Sequence, residues 1–247
     1  MKDEFLSIPN LPSNSVTEVI VSCSDKSLID KLSDLGVSCI VLSENADLDI
    51  SVSSHADILT YHLGNGEFIT DKNVEKSLKD YLSVKSVNVF SPYPKDCLLN
   101  AADIGDFVIC NTKITDKLII ESAIKYGKTI INVKQGYTKC SVCVVKRNVI
   151  ITDDESIYCE TAKTGRITPL FVSKGSVTLK GQNYGFLGGA SGLIGKDELF
   201  FNGDLSSHKD FVAIKEFLDY HNVKYIDIKD KSLTDVGSII PIKQKGS

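Results

Sequence analysis

Short stretches of alternating apolar and polar residues recur along this chain, and most lead into a stretch whose apolar positions repeat every three or four residues. "HADILTYHLGNGEFIT" reads as two short strands around a turn at Gly64, Asn65 and Gly66. "DKNVEKSLKDYL" then places Val74, Leu78, Tyr81 and Leu82 on one helical face, and "SVNVF" returns to strand periodicity. The same order comes back as "DFVICNTKIT", helix "DKLIIESAIKYG" and strand "TIINV". It repeats as "CSVCVVKRNVIIT", "DDESIYCETAKTG" and "ITPLFV", and again as "GLIGKDELFFN", "SHKDFVAIKEFLDYHN" and "VKYIDI". A shorter version, "EVIVSC", "KSLIDKLSDLG" and "SCIVL", opens the chain.

This pattern predicts about five strand–strand–helix–strand units of roughly 35 to 55 residues each. Helix N-caps are expected at Thr70 or Asp71, Thr115 or Asp116, Thr152 or Asp153, and Ser206 or Ser207. Gly127 and Gly165 stand where helices should end. A doubly wound α/β sheet also alternates strands and helices, but it usually needs one strand per helix. Here two short strands precede most helices, and no G-x-G-x-x-G follows the first strand.

Composition narrows the function classes. The 247 residues are expected to form a single domain over 1–247, with 42% hydrophobic and 24% charged residues, as in soluble globular proteins. A net charge of -4 with dispersed Lys and Arg argues against nucleic acid as a partner. The N-terminus lacks the basic and apolar regions of a signal peptide, and no apolar run reaches the ~20 residues of a membrane helix. A cytoplasmic location, with no membrane partner, is therefore expected. The seven cysteines fit a reducing compartment, where most serve as small core residues. Cys140 and Cys143 form a lone C-x-x-C in a run that reads as a strand, so their thiols should diverge. Neither a zinc site nor a redox pair is expected of that motif.

Candidate chemistry gathers in a few segments. In "FNGDLSSHKDF", His208 and Asp210 have the form of an acid/base pair, although Ser207 and Asp210 could equally form a capping box. His55, Asp57 and His62 lie together in "HADILTYHLG", but their spacing matches no metal signature, so no metal and no cofactor are expected. Gly185, Gly188, Gly189, Gly192 and Gly195 could bring backbone close to a ligand, or simply make tight turns. The run is neither a nucleophile elbow at Ser191, because Leu193 stands where glycine is needed, nor a P-loop. Asp96 sits in a proline-bearing loop, and Gln135, Tyr137, Lys139 and Cys140 crowd a junction between units.

The five units, the Gly-rich segment, "HKDF" at the last helix and "DVGSIIPI" near the end resemble the guanidino-group-modifying superfamily. It includes arginine and agmatine deiminases, dimethylarginine dimethylaminohydrolases and amidinotransferases. "HADILTYHLGNGEF", "VKQGYTKCS", "GFLGGASG" and "FNGDLSSHKD" more closely resemble a bacterial family of uncharacterised function that shares this fold. The resemblance covers nearly the whole chain. It implies a pseudo-fivefold α/β propeller with its active site at the central axis. It also implies a cysteine thiolate that attacks a guanidinium carbon, a histidine in an H-x-D pair, and carboxylates around the cation. His208 and Asp210 match that H-x-D pair, while the usual cysteine position carries Pro241, which has no nucleophile.

Three readings follow. The chain is a silent propeller that binds a small ligand, or Cys140 is the nucleophile, or water attacks with His208 as base and Asp57, Asp96 or Asp204 holding the substrate. The expected ligand is a small guanidino-like or polar molecule in a central pocket. His55, Asp57, His62, Asp96, Gln135 and Tyr137 are its expected contacts in the first part of the chain. Gly188, Gly189, Ser191, Asn202, Asp204, Asp235 and Ser238 are those in the last part.

Overall fold

A computed structural model describes residues 2–78 and 83–246. After β1 (Asp3–Phe5), the first unit runs β2 (Val16–Ser22), α1 (Lys26–Asp34) and β3 (Ser38–Leu42). The second starts with a helical turn, α2 (Ala56–Leu59), then β4 (Thr60–Gly64), β5 (Glu67–Asp71), α3 (Glu75–Leu78) and β6 (Ser83–Val87). The third has β7 (Ala102–Asp103), β8 (Phe107–Cys110), α4 (Lys117–Lys125) and β9 (Thr129–Asn132). The fourth has α5 (Thr138–Ser141), β10 (Val142–Lys146), β11 (Val149–Thr152), α6 (Glu155–Ala162) and β12 (Thr168–Phe171). The fifth has β13 (Ser191–Gly195), β14 (Glu198–Phe201), α7 (Phe211–Tyr220) and β15 (Lys224–Asp227), and β16 (Ile240–Lys245) ends the order.

Each of the last four units is a three-stranded sheet: an antiparallel hairpin, then a helix, then a parallel third strand. The hairpin turn at Asn65 and Gly66 has φ of 53° and 79°, the left-handed pair that matches the twist of flanking strands. The first unit obtains its antiparallel strand from the other end of the chain. β16 pairs with β2, Ile240 opposite Ile20, and β1 adds outside β16 to make a sheet of four. The short opening unit is thus a full unit closed by the C-terminal strand, and Pro241 is buried in that closing strand opposite Val19.

The helices pack by one rule. Leu28 and Leu32 of α1, Ile119 and Ala123 of α4, Ile157 and Thr161 of α6, and Ile214 and Leu218 of α7 are the buried pairs. Residues four apart share one face, which each helix lays on its own sheet. Burying each leucine or isoleucine contributes about 1.5–3 kcal/mol. Asp116 caps α4 as expected, and Gly127 and Gly165 follow α4 and α6 with φ of 68° and 61°.

Other expectations shift. Asp154, one residue beyond the expected pair, caps α6. Asp210 stands at the N-cap of α7 without a side-chain cap bond, its carboxylate accepting from Ser173 N instead, so the capping box does not form. The third hairpin starts at Ala102, earlier than "DFVICNTKIT" suggested, and Asn111–Ile114 is a turn. Of the predicted face on α3, Val74 and Leu78 are buried, while Tyr81 and Leu82 lie outside the described residues. No helix among the described residues is long and apolar enough to cross a membrane.

Candidate functional site

The heads of β4, β7, β10, β13 and β16 meet, and a closed ring of hydrogen bonds joins them. Gly189 N donates to Cys140 O (2.8 Å), Ser238 N to Gly189 O (2.8 Å), and Asp57 N to Gly237 O (3.0 Å). Asn100 completes the circle with its side chain. Its Nδ2 donates to Asp57 O (3.1 Å), and its Oδ1 accepts from Cys140 N (3.2 Å) and Lys139 N (2.6 Å). One amide side chain thus stands in for a peptide group between the second and fourth units. Buried backbone groups need such partners, so the ring fixes the residues that follow it in space.

Gly188 belongs to this ring because of its size. A Cβ there would lie 2.5 Å from Cys140 O and from Val142 C and O. Ser238 has φ of 69°, a left-handed conformation for a non-glycine residue, of the kind that persists only where surrounding contacts over-determine it. Its own bonds supply them: Lys139 Nζ donates to Ser238 Oγ at 3.0 Å, and Ser238 Oγ donates to Asp57 Oδ2 at 2.6 Å.

On one side of the ring lies a cavity of about 510 Å³. Cys140, His55 and Asp235 line it together with Asp96, Tyr93, Tyr137, Tyr184 and Phe186. Cys140 Sγ donates to Asp57, at 3.2 Å from Oδ1 and 3.1 Å from Oδ2, and receives Asn100 Nδ2 at 3.3 Å. Asp235 accepts from Phe186 N (2.9 Å) and Gly237 N (3.0 Å). Asp96 takes Tyr137 Oη on one carboxylate oxygen (2.7 Å) and Cys97 Sγ on the other (3.3 Å).

Burial dominates the electrostatics here. It pushes the Cys140 thiol well above its ordinary range, and the charges of Asp57 and Asp235 add to the effect. Burial also raises Asp57, against the opposing charges of His55 and Lys139. Asp235 is pushed up to about 6 by burial, with the two backbone donors opposing. His55 is pushed down by burial, partly offset by Asp57. The floor of the cavity is therefore a thiol, a neutral imidazole and carboxylates that protonate easily.

The model of a family of unknown function (DUF6873) matches residues 20–240. The chain belongs to that family. No curated protein matches the sequence. Among solved structures, the fold is similar to an amidinotransferase of the saxitoxin biosynthetic pathway from Microseira wollei, at TM-score 0.60 and 9% identity over 98% of each chain. It is similar to C. jejuni agmatine deiminase, at TM-score 0.55 and 12% identity over 100% of this chain and 98% of that one. It is also similar to the dimethylarginine dimethylaminohydrolase of Pseudomonas aeruginosa, at TM-score 0.53 and 10% identity over 87% and 92% of the chains. This member of the family thus shares the five-unit α/β propeller fold of these structures.

Of the residues singled out from sequence, the family member brings Cys140, His55, Asp57, Asp235 and Ser238 together, with Asp96 and Tyr137 on the cavity wall. Gln135 supports Tyr137, whose N donates to Gln135 Oε1. Gly188, Gly189 and Ser191 lie at the ring, Ser191 Oγ donating to Gly188 O at 3.2 Å. The remaining residues do not line this cavity. His62 is buried and stacked on Phe68 with ring centroids 4.3 Å apart. Asn202 bridges Asp25 and Thr234, and Asp204 pairs with Lys229. His208 is buried, its Nδ1 accepting from Asp210 N at 3.0 Å, and among the described residues no hydrogen bond joins it to Cys140.

Sequence reasoning passed over two residues that build the ring and its surroundings. Asn100 carried no signal beyond an asparagine at a unit boundary, and its ring role needs the fold. Lys139 was grouped with its neighbours without the buried bond to Ser238. The C-x-x-C thiols diverge as expected, Cys140 lining the cavity and Cys143 packing in the core, and both are free. Only the placement changes, since Cys140 lies in the helical turn α5 and not in a strand.

Proposed function

We propose that the cavity binds a small cationic molecule of the guanidino type and that Cys140 acts on it as a nucleophile. The observation that carries this reading is a thiol at the cavity floor donating to the Asp57 carboxylate, with His55 and Asp235 beside it. A planar cation set between Asp96 and Asp235 would present its central carbon to Cys140. Its positive charge would favour the thiolate, the proton passing to Asp57. Sulfur then bonds to carbon, and the carbon–nitrogen bond breaks as His55 relays a proton to the departing amine. Water releases the product in a second step. His208, away from the cavity lining, takes no part in this scheme. The names of the similar folds, an amidinotransferase, an agmatine deiminase and a dimethylarginine dimethylaminohydrolase, support a guanidino-type ligand.

A second reading, a binder without chemistry, is favoured by the strongly raised Cys140 thiol, which stays protonated unless a cation enters. The experiment offers arginine, agmatine and methylarginines to the purified protein and measures ammonia, amine and ureido products alongside thermal unfolding. Turnover lost in Cys140→Ser supports the enzyme. Ligand-dependent stabilisation without turnover supports the binder. If no compound turns over or raises the melting temperature, both readings fall.

A further inference from the structure

Three side chains at the cavity floor come from distant parts of the chain and converge. One ligand atom from each of His55, Cys140 and Asp235 lies within 4.8 Å of the others. All three residues are buried, at 3%, 2% and 3% exposure respectively. His55 Nδ1 has no hydrogen-bond partner although it is shut off from solvent. It lies 3.9 Å from Asp235 Oδ1, too far for a hydrogen bond. A buried nitrogen lone pair or N–H left unpaired is destabilising and calls for an explanation.

We propose that His55, Cys140 and Asp235 bind one divalent transition-metal ion of the zinc class, with its fourth position open to the cavity. The donor set supports this assignment. Imidazole nitrogen, thiolate sulfur and carboxylate oxygen are the ligands such ions take, and hard cations such as magnesium or calcium avoid thiolates. Three protein ligands facing a cavity leave room for a water or a ligand atom in the fourth place. Zinc bonds of about 2.0–2.3 Å hold tetrahedral donors about 3.5 Å apart, so the present spacing closes by about 1 Å through side-chain rotation.

The surroundings hold the ligands in place. Phe186 N and Gly237 N each donate to one oxygen of Asp235, leaving lone pairs free. Asn100 Nδ2 steadies Cys140, and Asp57 lies within 3.2 Å of its sulfur to accept the proton that metal binding displaces. The assignment does not rest on a guanidino ligand. It does mean that the metal and any reaction at the Cys140 sulfur exclude each other.

The test titrates the chelator-treated full chain with Co2+ and then Zn2+, without any guanidino compound. The expected result is one ion per chain, with a near-ultraviolet thiolate-to-cobalt band and visible bands of tetrahedral intensity, displaced by Zn2+. The near-ultraviolet band should vanish in Cys140→Ser, and affinity should fall at least about tenfold in His55→Gln and Asp235→Asn. Thermal melts in chelator establish that each variant folds, and an unfolded one leaves the other two to decide. Cys159→Ser, at an exposed free cysteine, should change nothing. Absence of stoichiometric binding, a band that survives Cys140→Ser, or a band lost with Cys159→Ser overturns the site. Guanidino turnover is read separately, so failure of one proposal leaves the other standing.

Discussion

Cys140 Sγ lies 3.1 Å from Asp57 Oδ2, joining the heads of the fourth and second units of the propeller across its axis. A thiol held by a carboxylate in a dry site is disfavoured as a thiolate, first by burial and then by the neighbouring charge. Replacing that charge should therefore free the thiol. Asp57→Asn is expected to raise the rate of Cys140 alkylation by iodoacetamide at pH 8 severalfold, because the thiolate forms more easily without the neighbouring charge. Peptide mapping of the labelled cysteine is the readout, and an unchanged rate would sink the idea that Asp57 governs this sulfur.

Asn100 should be among the least replaceable polar residues. Asn100→Ala removes a donor to Asp57 O and an acceptor for Lys139 N and Cys140 N, all buried. A loss of about 2–4 kcal/mol in urea unfolding is expected from the stranded backbone groups. Asn100→Asp keeps the acceptor and should recover only part of that loss.

Two glycines should behave differently. Gly188→Ala drives a methyl into the backbone of Cys140 and Val142 and should lower stability by about 1–3 kcal/mol. A Cβ at Gly127 meets nothing within 4 Å, and only its φ of 68° is special. Gly127→Asn should thus stay within about 1 kcal/mol of the parent, since asparagine tolerates the left-handed region.

Two buried groups should give opposite pH responses. Burial pushes His62 down to about 3, so the unfolded chain takes up its proton first and stability is lost as pH falls from 6.5. Burial pushes Asp153 up to about 7, so the folded chain keeps its proton longer and stability is lost as pH rises from 3.8 toward 7. Relative to the parent, His62→Leu should gain stability toward pH 4 and Asp153→Asn toward pH 7. Denaturation curves across that range measure both. Parallel curves for parent and variants would show that neither group titrates as argued.

Much of the architecture was legible because it is periodic. Alternation, helix periodicity and the Asn65–Gly66 turn mark four full units and one short one. The missing strand of the first unit could not be read there, because β16 pairs with β2 from the far end of the chain. The same limit explains the histidines. His208 next to Asp210 and His55 next to Asp57 are equivalent as H-x-D strings, and only the meeting of unit heads sets His55 at the cavity. Cys140 was drawn toward the axis by symmetry, but its partners Asp57 and Asn100, 83 and 40 residues away, have no local signature.

The strand β16 has one more consequence. Asp235 and Ser238 sit on the segment that leads into it, and Ile240 then pairs beside Ile20. Until that strand docks, the cavity lacks one of its carboxylates and the buried Lys139 lacks its hydroxyl partner. Closing the circle and completing the site are thus one event, so a chain whose ends have not met offers only an incomplete pocket.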